Sequence, residues 1–77
     1  MLGFDSNDID ETFIGKRITE LRKRKGVSEY QMSLDIGRSK NYIQNIRTGR
    51  SLPSLPELFN ICSYLQFTPK DFFDRGK

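Results

Sequence analysis

The stretch DIGRSKNYIQNIRTG, Asp35–Gly49, decides how this chain folds. Gly37 and Gly49 punctuate it, and between them Ile43 and Ile46 stand one helical turn apart among amides, hydroxyls and cations. Glycine ends helices because it enters the left-handed conformation without a Cβ clash. The spacing predicts a helix over about 40–48, capped by Ser39, closed by Gly49, with Ile43 and Ile46 inward. Gly37 closes the preceding helix, about 29–36, leaving roughly three residues between the two. So short a link enforces a sharp angle instead of an antiparallel hairpin. Ser33, small and on the inner face of the earlier helix, lets the later one approach closely.

The flanking segments are helical as well. Ile14, Ile18 and Leu21 lie at i, i+4 and i+7, the apolar face of a first helix from about Thr12 to Lys25, which Gly26 ends. Ser28 and Gln31 have the spacing of a capping box at the start of the second helix, with Met32 and Ile36 inward. A second box, Ser54 and Glu57 with Pro56 in the first turn, opens a fourth helix. It is expected to bury Leu55, Leu58, Ile61, Cys62 and Leu65. Thr68, Pro69 and Asp71 start a last short helix carrying Phe72 and Phe73. No segment alternates as a strand would. The expected fold is all-α, five short helices in one domain over 12–75, preceded by an acidic, flexible tail over 1–11.

Seventy-seven residues support one modest core. Cys62 is the only cysteine, so there is no disulfide framework and no sign of an oxidising compartment; a cytoplasmic location is expected. With no histidine, the chain lacks the means for a usual zinc site or a Cys–His nucleophile pair, so neither metal, cofactor nor enzymatic activity is expected. No apolar run is long enough for a membrane span. The net charge of +3 hides an asymmetry. Residues 1–15 carry −4, residues 16–50 set ten cations against three acids for +7, and the remainder balances. The middle of the chain would concentrate a positive field at a polyanion.

Two short helices at a sharp angle, the second polar outside, are the geometry of a helix-turn-helix that presents its second helix to the DNA major groove. From Phe13 to Phe73 the chain resembles the Cro and phage-repressor type of helix-turn-helix domain, the XRE family. The resemblance rests on IGKRITELRKRKGVS (14–28), MSLDIGRS (32–39), YIQNIRTG (42–49) and SLPSLPELFNICSYLQFTPKDFF (51–73). It implies a lambda-repressor-like fold and sequence-specific double-stranded DNA binding, usually as a homodimer in transcriptional control.

The resemblance puts base-reading positions at Lys40, Asn41, Gln44 and Asn45, with Tyr42 at the edge against a thymine methyl or a phosphate. Their chemistry suits base reading. Asparagine and glutamine pair bidentately with adenine, and lysine donates to guanine, each worth about 1–3 kcal/mol of discrimination. Phosphate contacts are expected from Ser28, Arg38, Ser39, Arg47, Thr48, Arg50 and Ser51, framing the helix. Three positions depart from the family pattern. Glu29 replaces a glutamine that contacts phosphate, Arg38 replaces an apolar residue, and Arg47 replaces the acid that pairs with the arginine here numbered Arg22. The expectation is that Arg47 turns outward to a phosphate while Arg22 finds Glu20, a C-terminal acid or solvent. Tyr30 and Leu34, neighbours on the outer face of the second helix, support a rival reading as a protein-binding or oligomerisation module. Tyr64, Phe67, Phe72 and Phe73 are expected to close the core, with surface to spare for a dimer contact.

Overall fold

The computed structural model describes residues 11–74, and its five α-helices follow the order expected from the sequence. They are α1 (Glu11–Lys25), α2 (Glu29–Asp35), α3 (Tyr42–Arg47), α4 (Leu55–Leu65) and α5 (Pro69–Phe72). No strand occurs among the described residues. The acidic tail expected over 1–11 lies outside them but for Glu11, which is the first residue of α1.

One apolar cluster holds the helices together. Ile18 and Leu21 of α1, Met32 of α2, Ile43 and Ile46 of α3, four residues of α4 and Phe72 of α5 are all buried. Leu58, Ile61, Cys62 and Leu65 supply the α4 stripe, whereas Leu55, expected with them, is 62% exposed. It occupies the first position of α4, and with Ser54 and Pro56 also exposed, that opening turn overhangs the core. At the other end the aromatics close the bundle: Phe13 meets Phe72 edge-on at 6.4 Å and stacks on Phe73 at 5.7 Å. Arg17 ties the same corner down, donating through Nε to the Phe72 carbonyl (2.7 Å) and through Nη2 to the Asp71 carbonyl (2.8 Å). Both carbonyls lie at the end of α5, where the Asp71 oxygen also accepts from the Asp74 amide at 3.1 Å.

The glycine punctuation is as expected. Gly37 and Gly49 have φ of +80° and +83°, where any side chain would be strained. Gly15 is needed for a different reason. A Cβ there would lie 3.1 Å from both the Arg47 Cα and the Ile46 carbonyl oxygen, so its absence lets α1 lie directly against the last turn of α3.

The caps are part expected, part not. Ser54 and Glu57 form the full reciprocal box. At α2 only half of one forms: Ser28 Oγ accepts from the Gln31 amide at 3.0 Å, but the Gln31 side chain donates to Asp35 at 2.7 Å instead of returning to Ser28. Asp35 also accepts from the Tyr64 hydroxyl at 2.6 Å, and it is this pair of hydrogen bonds, Tyr64 first, that holds its carboxyl below the usual range. Asp35 thus links α2 to α4, and Gln31 is drawn toward it.

Candidate nucleic-acid interface

The helix that should face DNA begins two residues later than the spacing suggests. Ser39 does not cap it. Its carbonyl accepts from the Tyr42 amide at 3.0 Å, closing a turn, and Asn41 takes the N-cap position. The Asn41 side chain makes no cap hydrogen bond. The missing acceptor comes from another helix: Ser33 Oγ, fully buried on α2, accepts from the Ile43 amide at 3.0 Å and donates to the Glu29 carbonyl at 2.7 Å. An N-cap side chain ordinarily satisfies this second or third amide of a helix. Because Ser33 does so from across the turn, the carboxamide of Asn41 is released from that duty. The sequence marked Ser33 for its size alone; the hydroxyl joining α2 to α3 left no local signal.

With Ile43 and Ile46 at 1% and 4% exposure, the opposite face of α3 is turned outward. Lys40, Asn41 and Gln44 are exposed and Asn45 half-buried, and no internal hydrogen bond or ion pair engages any of their side chains. Tyr42 differs. Its ring is half-buried beneath the Arg38 guanidinium, 5.0 Å from the ring centre, and its hydroxyl is buried. Burial, reinforced by the nearby Glu57 carboxylate, pushes the phenol up to about 12. The hydroxyl does not face outward, so the expected phosphate contact from it does not fit this geometry; only the ring edge is left for a thymine methyl.

The phosphate candidates divide into two kinds. Ser28, Ser39, Thr48, Arg50 and Ser51 are exposed around α3, and Arg50 has no ionic partner. Arg38 and Arg47 are already engaged. Arg38 Nη2 lies 2.7 Å from Glu57 Oε2, and Arg47 Nε donates to Glu29 Oε2 with Nη2 at 3.4 Å from Oε1. Glu29 is the first cause of the upward shift in the Arg47 guanidinium. Glu57 is held below the usual carboxylate range mainly by the Ser54 backbone amide, with Tyr42 and Arg38 adding to it.

One expectation is corrected here, that Arg22 finds Glu20. Arg47 stays exposed at the surface, where Glu29 offers it a carboxylate across the α2–α3 corner. Arg22 does not find Glu20, which is taken by Arg17 and Arg24 at 2.9 Å each. Arg22 Nη1 donates instead to the Val27 carbonyl at 2.8 Å, fastening the α1–α2 link. The two departures at Glu29 and Arg47 are therefore a single exchange, an acid on α2 for a cation on α3. Their opposite signs were a signal available in the sequence. The Arg38–Glu57 pair offered none, its members lying in the turn and in α4. On α2, Tyr30 and Leu34 are 56% and 43% exposed, as the rival reading requires; Leu52 and Phe59 are exposed too, at 57% and 49%.

No curated protein matches the chain, and no solved structure does. The family described as Helix-turn-helix matches residues 18–72, from the middle of α1 to the end of α5, and so takes in the second half of α1 and all of α2 to α5. The chain belongs to the Cro and phage-repressor (XRE) type of helix-turn-helix domain, a family of DNA-binding regulators of transcription.

Proposed function

We propose that this protein is a sequence-specific, double-stranded DNA-binding regulator that lays the 40–48 segment in the major groove. The observation that carries this reading is the state of four side chains. Lys40, Asn41, Gln44 and Asn45 point away from a helix pinned from behind, and none has an internal partner. A polar side chain left unengaged on a rigid scaffold can give its whole hydrogen-bonding capacity to a base edge. Asn41, Gln44 and Asn45 are matched to adenine N6 and N7, and Lys40 to guanine N7 and O6. Around them Ser28, Ser39, Thr48, Arg50 and Ser51 would fix the register on the phosphates, with Arg38 and Arg47 added where they exchange a carboxylate for DNA.

One such domain covers few base pairs, and nonspecific affinity is only about 10⁻⁴–10⁻⁶ M. Useful specificity then calls for a homodimer with two recognition helices about 34 Å apart. The C-terminal aromatics are spent on the core, but Leu55 and Phe59, one turn apart and exposed on α4, offer apolar surface for such a contact. The function assigned is binding without catalysis.

Selection from random duplexes tests the reading. The expected result is enrichment of one motif, with half-sites about one helical turn apart. A second reading, a protein-binding module using Tyr30 and Leu34, is favoured by their exposure side by side on α2. It predicts no enriched motif even at low salt.

A further inference from the structure

The arginines bracketing α3 are the phosphate candidates whose guanidiniums already hold carboxylates. Arg38 lies in the turn before the helix and Arg47 in its last turn, while the neighbouring Arg50 has no such partner. Resting on the DNA-binding reading above, we propose that Glu29 and Glu57 set the DNA affinity by acting as internal competitors of the phosphate backbone for Arg47 and Arg38.

Carboxylate and phosphate present the same pair of oxygens to the guanidinium fork, so a guanidinium docked on one is unavailable to the other. The acids are the more enclosed members, and Glu57 Oε1 is also anchored by the Ser54 amide at 2.9 Å. The arginines are the movable ones, with side chains 44% and 41% exposed for Arg47 and Arg38, against 20% and 24% for their acids. Open space of about 390 Å³ adjoins Arg47, beside Lys16 and Thr48. Arg38 is held twice, by Glu57 and by stacking on Tyr42. Arg47 has only Glu29, so Glu29 governs the larger effect.

The test titrates the full chain onto a random-sequence duplex of roughly 20 base pairs, two helical turns, across a range of salt. Alanine at position 29 carries no group that could itself reach phosphate, and glutamine at 57 keeps the cap of α4. Glu29→Ala is expected to tighten binding about eightfold at 0.1 M salt and to steepen the slope of log K against log salt by about 0.9, the counterion release of one added phosphate contact. Glu57→Gln should act in the same direction but less. In an Arg47→Gln background the gain from Glu29→Ala should vanish. A gain that persists there, or one matched by Glu20→Gln on α1, would mean that net charge alone is responsible and would overturn the proposal. Unchanged or weaker binding by Glu29→Ala overturns it while leaving the DNA-binding reading intact. Failure of every variant to bind at low salt overturns both.

Discussion

The two ends of the third helix are built for opposite purposes. Its N-terminal end is fastened from behind, through the Ser33 hydroxyl and Ile43, and its outward side chains are left without partners. Its C-terminal end is fastened from the front as well. There the Gly15 gap seats α1 against the Arg47 backbone, and Glu29 binds the Arg47 side chain. Sequence reading requires side chains that are free yet aimed, and only the first end provides both. The second end holds the aim. A six-residue helix is too short to be stable alone, so its orientation depends on what grips each end.

If that division is right, the ends should fail differently. Ile46→Ala removes a buried side chain from the gripping end and should cost about 2–5 kcal/mol, read as a melting temperature lowered by roughly 4–8 °C for each kcal/mol. The Gly15 seat and the Arg47–Glu29 pair stay in place, so the helix keeps its aim and DNA binding would fall only in step with the folded fraction. Ser33→Ala at the other end should cost about 1–3 kcal/mol, because the buried Ile43 amide loses its acceptor. Here DNA affinity should drop beyond the stability loss, since the cap is what keeps Asn41 free. Equal losses of stability and affinity in both variants would erase the distinction between the ends.

Asn41→Ala isolates the reading function. An N-cap asparagine ordinarily contributes about 1 kcal/mol to its helix. Here the side chain makes no cap bond, so melting should scarcely change. Affinity for a selected site should fall by about 1–3 kcal/mol, with discrimination at one base pair relaxed and the salt dependence unaltered. A large fall in melting temperature would show that Asn41 caps the helix after all, and the free-carboxamide account would go with it.

The sequence made the scaffold legible wherever the signal was local. Glycines at Gly26, Gly37 and Gly49, the Ser54–Glu57 box and the apolar spacings placed five helices with their boundaries nearly right, because periodicity and left-handed stops act over one or two turns. The outward set on α3 followed from knowing which residues point inward. What escaped were relations across helices. Ser33 capping α3, Gln31 drawn off to Asp35, and Arg38 bound to Glu57 all depend on which helices meet. The start of α3 is hidden for the same reason: Ser39 has the residue type of a cap, but the acceptor for the Ile43 amide comes from Ser33 on another helix.

Gly15→Ala gives the smallest effect and the most discriminating one, because two opposed terms meet there. In a helix interior alanine is favoured over glycine by about 1 kcal/mol, so the change should stabilise α1 if space allowed. The space is lacking: the added methyl would stand 3.1 Å from the Arg47 Cα and the Ile46 carbonyl oxygen, backbone atoms that no rotamer change can move aside. Overpacking of this kind costs about 1–3 kcal/mol. A net loss of about 1 kcal/mol is therefore expected, seen as a modestly lower melting temperature. The relief available is a tilt of the last turn of α3 away from α1, which changes where Asn41 and Asn45 point while leaving both reachable. Affinity for the selected duplex should consequently fall by more than the stability does. A variant melting higher than wild type with unchanged affinity would show that α3 yields at that end without losing its aim, and that the aim is held at the Ser33 end alone.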